Sequence, residues 1–187
     1  MIGDYEFQKF KQIRLIMKKA LLCLTLVVVL AGCGTRQHNM IFDNGGTSLP
    51  ASSKYSVGSA RNASGFVFSD DDEGLDIAES MKTALVDELN REGLYQEENP
   101  DYSIDVTVKK YEPGNAFGRW LMPGAGSTVL EVSSQVRACE SPVGHIETKN
   151  TVEAGGVYTV GAWKDIFKDA AEEIVKELKE SMGLIKE

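Results

Sequence analysis

The feature that most constrains this chain is a short apolar run, Ala20 to Leu30, that closes on Leu30-Ala31-Gly32-Cys33. Lys18 and Lys19 stand directly before it, and the small pair Ala31-Gly32 directly after. A membrane-spanning helix needs about 20 apolar residues, and this run is too short to be one. A basic n-region, a short apolar stretch and small residues beside a cut are the parts of a cleaved export signal. The four residues read as a lipobox. Leu30, Ala31 and Gly32 are the expected signal-peptidase recognition residues, and Cys33 is the expected site of lipidation.

Four segments follow from this reading. Residues 1–16 carry charges that export does not require, so they are expected to be an over-call of the start codon, with Met17 the true start. Residues 17–32 are the signal peptide. Residues 33–54 are a lipidated N-terminus and flexible tether, rich in Gly, Ser, Asn and Thr, whose root-mean-square reach is about 25 Å. Residues 55–187 form one domain. Covalent diacylglycerol and an N-acyl chain such as palmitate on Cys33 are the only non-protein groups expected; no other cofactor and no metal is expected. Bacterial lipoproteins with Asp after the cysteine tend to stay in the inner membrane. Gly34 therefore points to the periplasmic leaflet of the outer membrane, the periplasmic face of the inner membrane being the alternative.

Charge narrows the partners. The whole chain has a formal charge of −8, and the first 32 residues hold five cations and two acids, so their loss leaves −11. An acidic domain repels phosphate backbones, which argues against nucleic acid. It also leaves membrane attachment to lipid rather than to a basic surface. Cys23 leaves with the signal and Cys33 takes lipid, so Cys139 stands alone and cannot form an internal disulfide.

The domain alternates legibly between two periods. Tyr55–Ser59 reads as a weak strand interrupted by Gly58, with Gly65–Phe68 extending or replacing it. Asp70–Glu73 is expected to cap a helix over 73–92, whose Ala78, Met81, Leu85 and Leu89 recur at three- and four-residue spacing. Gly93 then Leu94 form its C-cap. Residues 102–110 alternate cleanly, as do 127–139. Glu140–Gly144 reads as a turn, returning into a third strand over 145–154. Trp163, Ile166, Phe167, Ala170, Ile174, Val175 and Leu178 make the buried stripe of a last helix over 163–182. The expected fold is α+β: a two-layer sandwich in β-α-β-β-β-α order, with a small, largely antiparallel sheet and two helices on one face.

One segment exceeds what folding needs. Pro113–Gly126 joins two strands with more residues than a hairpin requires, yet carries Phe117, Arg119, Trp120, Leu121 and Met122. Trp and Arg are enriched at interface hot spots, so these five are the candidate partner-contact residues. A shallow insertion into the membrane surface and a loop folded back over the core are the competing readings.

No nucleophile elbow, P-loop, CxxC or HExxH is present. His38 and His145 have no second ligand nearby in sequence. Asp105 and Glu131 could oppose each other on the solvated sheet face as a carboxylate pair, which would make a hydrolytic or carbohydrate-acting envelope enzyme the alternative. The main expectation is a non-enzymatic binding, adaptor or assembly factor, held to the membrane by lipid and contacting an envelope protein.

The lipobox, the helix 77–90, the run Phe117-Gly118-Arg119 through Pro123-Gly124-Ala125-Gly126 into Leu130-Glu131-Val132, the Cys139–Ile146 turn and the C-terminal amphipathic helix together resemble a family of small bacterial lipoproteins. That family carries a domain of unknown function, the 4410 type. The resemblance runs from about Tyr55 to the C-terminus. It implies an envelope lipoprotein without an assigned reaction. Arg119-Trp120-Leu121-Met122-Pro123 departs from the pattern, where a basic residue and then smaller ones are expected.

Overall fold

The structure, a computed structural model, describes residues 40–43, 45–67, 76–114, 127–152 and 162–185. Strand β1 (Ile41–Phe42) and strand β2 (Tyr55–Asn62) precede helix α1 (Ile77–Arg91). Strands β3 (Tyr102–Glu112), β4 (Thr128–Ala138) and β5 (Ser141–Val152) follow, and helix α2 (Ala162–Ser181) ends the domain. The sheet order is β1-β5-β4-β3-β2. Among the described strands only β2 and β3 pair in parallel, because α1 returns the chain between them; the other strand pairs are antiparallel. This is the expected two-layer α+β fold.

Each element follows from its residues. In α1, Ile77, Met81, Leu85 and Leu89 are almost fully buried, one apolar stripe at helical spacing. The N-cap is Asp76 and not the acidic run before it. Its carboxylate accepts from Ala78 N at 2.7 Å and Glu79 N at 3.1 Å, and 70–73 lie outside the described residues. Asp76→Ala removes both acceptor bonds and is expected to cost about 1 kcal/mol. Urea unfolding checks it, and an unchanged midpoint would assign the cap elsewhere. At the other end Gly93 adopts φ +68, and Leu94 N returns to Leu89 O, the C-cap expected from the sequence.

The strands alternate as expected, with bulges that pattern alone does not show. Ile104, Val106 and Val108 face the helices, and a register shift between Val108 and Lys110 turns Tyr111 inward as well. Leu130, Val132 and Val136 on β4 and Ile146 on β5 complete that face. In α2, Ile166, Phe167, Ala170, Ile174, Val175 and Leu178 are buried against it; the Trp163 side chain lies outside the described residues. Phe66 is not strand but packs edge-on against Tyr111 at 5.2 Å between ring centroids.

Two further expectations are corrected. The β4–β5 turn is Cys139-Glu140, with Cys139 at φ +54, so Pro142 and Gly144 belong to β5 rather than to the turn. The segment expected as tether is also partly folded. Ile41 and Phe42 pair with His145 and Gly144, Met40 and Leu49 are buried, and Leu49 N donates to Ser181 O. Two paired residues and isolated apolar side chains make no periodic signal, so polar composition dominated the reading there.

Candidate functional site: the solvated sheet face and the β1 edge

Leu30, Ala31, Gly32 and Cys33 lie outside the described residues, as do Phe117, Arg119, Trp120, Leu121 and Met122. The residues at the base of this expected contact loop lie among the described ones. Glu112 pairs with Val129, and the Thr128 hydroxyl donates to Pro113 O at 2.9 Å. The loop thus leaves and re-enters between two paired strands, which fixes both its ends.

The face of the sheet away from the helices is covered by paired charges. Arg137 Nε meets Asp105 Oδ2 at 2.9 Å, Lys149 Nζ meets Glu131 Oε1 at 2.8 Å, and Lys109 Nζ meets Glu147 Oε1 at 2.8 Å. The Asp105 carboxylate also accepts from Ser59 N and Ser59 Oγ at 2.8 and 2.7 Å. It sits against the β2 bulge, where a side chain on Gly58 would lie 2.6 Å from its Oδ1. The glycine that weakened the strand in the sequence is what lets this carboxylate approach the backbone.

The carboxylate pair is not assembled. Asp105 lies opposite Gln135, whereas Glu131 lies opposite Lys110, four residues further along β4 and about 13 Å away at ordinary strand rise. Each acid has its own cation. Partial burial pushes the Asp105 carboxyl up, but the Ser59 and Arg137 contacts outweigh it and the net shift is downward. The hydrogen bond from Lys149 holds the Glu131 carboxyl below its usual range. Both are therefore carboxylates at neutral pH, and neither is poised as a general acid. Among the described residues no three His, Cys, Asp or Glu side chains converge as a metal set.

A second cluster was not visible in the sequence. Gln135 Nε2 donates to Asp43 Oδ2 and to Gly144 O, each at 2.9 Å, and His145 Nδ1 stands 3.2 Å from Asp43 Oδ1. The Gln135 hydrogen bond is the main reason the Asp43 carboxyl lies below its usual range. His145 is thus a strand residue with a carboxylate partner, not a solvated turn histidine. The cluster fastens the segment after β1 onto β4 and β5. Asp43 is 92 residues from Gln135 and 102 from His145 in sequence, so no local pattern could have joined them. Cys139 is exposed with a free thiol. Among the described residues, no helix is long and apolar enough to cross a membrane.

The arrangement resembles known folds. The PelC dodecamer from Paraburkholderia phytofirmans is 14% identical, with a TM-score of 0.52 over 76% of this chain and 98% of that one. Protein XCC0632 from Xanthomonas campestris, a DUF330 protein, is 10% identical, with a TM-score of 0.50 over 76% of this chain and 91% of that one. A minor lipoprotein from Acinetobacter baumannii is 13% identical over 71% of this chain and 94% of that one, at a TM-score of 0.36, too slight an overlap to support a conclusion. At such identities the first two likenesses are of fold alone. No curated protein matches the chain. The family profile described as "Domain of unknown function (DUF4410)" matches residues 55–156, from the first residue of β2 to just beyond β5. That stretch exceeds half of the 187 residues and takes in the parallel β2–α1–β3 unit with the two hairpin strands after it; the chain belongs to the DUF4410 family.

Proposed function

We propose that the protein is a lipid-anchored, periplasm-facing lipoprotein of the bacterial envelope that works by binding, as an adaptor or assembly factor, and not by catalysis. The observation that carries this reading is the Leu30-Ala31-Gly32-Cys33 box behind a basic and apolar leader. Acyl chains on Cys33 would supply the membrane contact that a mature charge of −11 disfavours on electrostatic grounds. Gly34 favours the outer membrane, and the envelope side is where such a thiol is acylated.

The binding role rests on the loop between β3 and β4. Its ends are held by paired strands. Phe117, Trp120, Leu121 and Met122, with Arg119 among them, have the composition of a contact surface. The partner expected is another envelope protein. The paired, ionised acids on the sheet face favour binding over hydrolysis.

Crosslinking in intact cells with a tagged chain tests the adaptor role. Trp120→Ala is expected to abolish the major crosslinked species while leaving the melting temperature within a few degrees. A variant that instead melts far lower and keeps its crosslinked partner places Trp120 in the core and removes the contact reading.

A further inference from the structure

The inner face of β4 and β5 is not wholly apolar. Ser134, Thr148 and Asn150 stand on it with exposures of 0%, 3% and 3%. Ser134 Oγ, Thr148 Oγ1 and Asn150 Oδ1 are buried without a hydrogen-bond partner. The register makes the three residues neighbours. Thr148 and Asn150 alternate along β5 and so share a face. Ser134 lies opposite Ile146, which places it diagonally beside Thr148. Buried polar atoms are paired in the great majority of cases, and an unpaired one is costly. Three such oxygens in one strip call for an occupant.

Helix α2 covers this part of the sheet and brings charge to it. Asn150 Nδ2 donates to Glu173 Oε2 at 2.9 Å, which fixes the amide and leaves Oδ1, an acceptor only, as its free end. Glu177 follows one turn later on the same side of the helix and is 4% exposed. The helix runs back along β5. Lys179 meets Glu92 just past the end of α1, close to where Leu94 O accepts from the first residue of β2. Strand β3 starts there in parallel with β2, and β5, antiparallel to β4, starts there too. The step from Glu173 to Glu177, about 6 Å, therefore follows the step from Asn150 back to Thr148, about 7 Å.

We propose that this strip binds one calcium ion, with Glu177 as its charged ligand and Asn150 Oδ1 and Thr148 Oγ1 as neutral ones. Glu173 is the positioning residue that aims the Asn150 amide, and Ser134 Oγ closes the strip on β4. An all-oxygen set suits a hard cation, and calcium accepts an irregular mixture of carboxylate and amide oxygens. Magnesium demands near-octahedral geometry and keeps several waters, which a strip roofed by a helix does not favour. One carboxylate among neutral oxygens also accounts for a site that no set of acidic, histidine or cysteine side chains announces.

The test uses the full-length chain, stripped with EDTA and titrated with calcium chloride in a calorimeter, with melting followed in parallel. One calcium per chain is expected. At about a hundredfold excess over Kd, the melting temperature should rise by about 5–10 °C. Thr148→Val keeps the shape of the side chain and removes Oγ1. It should melt no lower than wild type without calcium, and bind calcium about tenfold more weakly or worse. Glu177→Gln should lose both the heat and the shift. A wild-type chain that shows neither heat nor shift overturns the proposal and leaves the strip to bridging water. An equal shift from sodium chloride at matched ionic strength overturns it as well, as does calcium binding undiminished in both variants.

Discussion

Cys33→Ser is expected to leave the precursor unprocessed or unacylated, with the acyl mass absent from the intact protein. Each buried methylene contributes about 0.8 kcal/mol, and a single acyl chain anchors only marginally, whereas two or more hold firmly. Replacing sulfur by oxygen removes the nucleophile that accepts diacylglycerol, so the whole of that free energy disappears at once. The charge of −11 on the proposed mature chain would oppose binding to anionic lipid. The readout is mass spectrometry together with membrane fractionation. Wild-type-like fractionation and mass for the serine variant would remove the basis of the proposed function.

Leu85→Ala is expected to destabilise the domain by about 2–5 kcal/mol, the range for a buried leucine reduced to alanine. Leu85 is fully buried in the α1 stripe, inside the one cluster that joins both helices to the sheet. The loss combines the transfer free energy of the removed carbons with the cavity they leave. For a domain of this size, the melting temperature should fall by about 5–20 °C. A fall of only a degree or two would mean that α1 repacks over the space, and that the stripe is less tightly held than its burial implies. Asp105→Asn, by contrast, should be mild: the pair with Arg137 is partly exposed, and such pairs contribute about 0–1 kcal/mol.

Much of the fold was legible because burial leaves a periodic trace. Met81, Leu85 and Leu89 announce a helix, and Ile104, Val106 and Val108 a strand with one wet face, because each side chain's neighbours on the same element share its environment. The Gly93-Leu94 stop was legible for the same reason, as it depends on residues a few positions away. The helix start was misplaced because Asp70, Asp71, Asp72 and Asp76 are equally able to cap. Only the position of the first buried residue, Ile77, decides between them.

The candidate site divides in the same way. The lipobox and the composition of the long loop are contiguous, and contiguous chemistry can be read without a fold. The opposition of Asp105 and Glu131 could not be judged from alternation, which reports the face of a residue but not its register. Register is set by pairing, and the bulge between Val108 and Lys110 shifts it.

What the sequence determined by itself was the order of elements from β2 onward, the oily faces and the acidic character of the chain, all of which depend on neighbours within a turn or two. Tertiary structure alone decided that Met40–Asp43 belong to the sheet, that Gly144 is empty to admit them, and that Asp43 meets Gln135 and His145. Those contacts join residues about a hundred positions apart. The free energy of such a contact lies in the meeting of two surfaces, and neither surface carries a mark of it along its own stretch of chain.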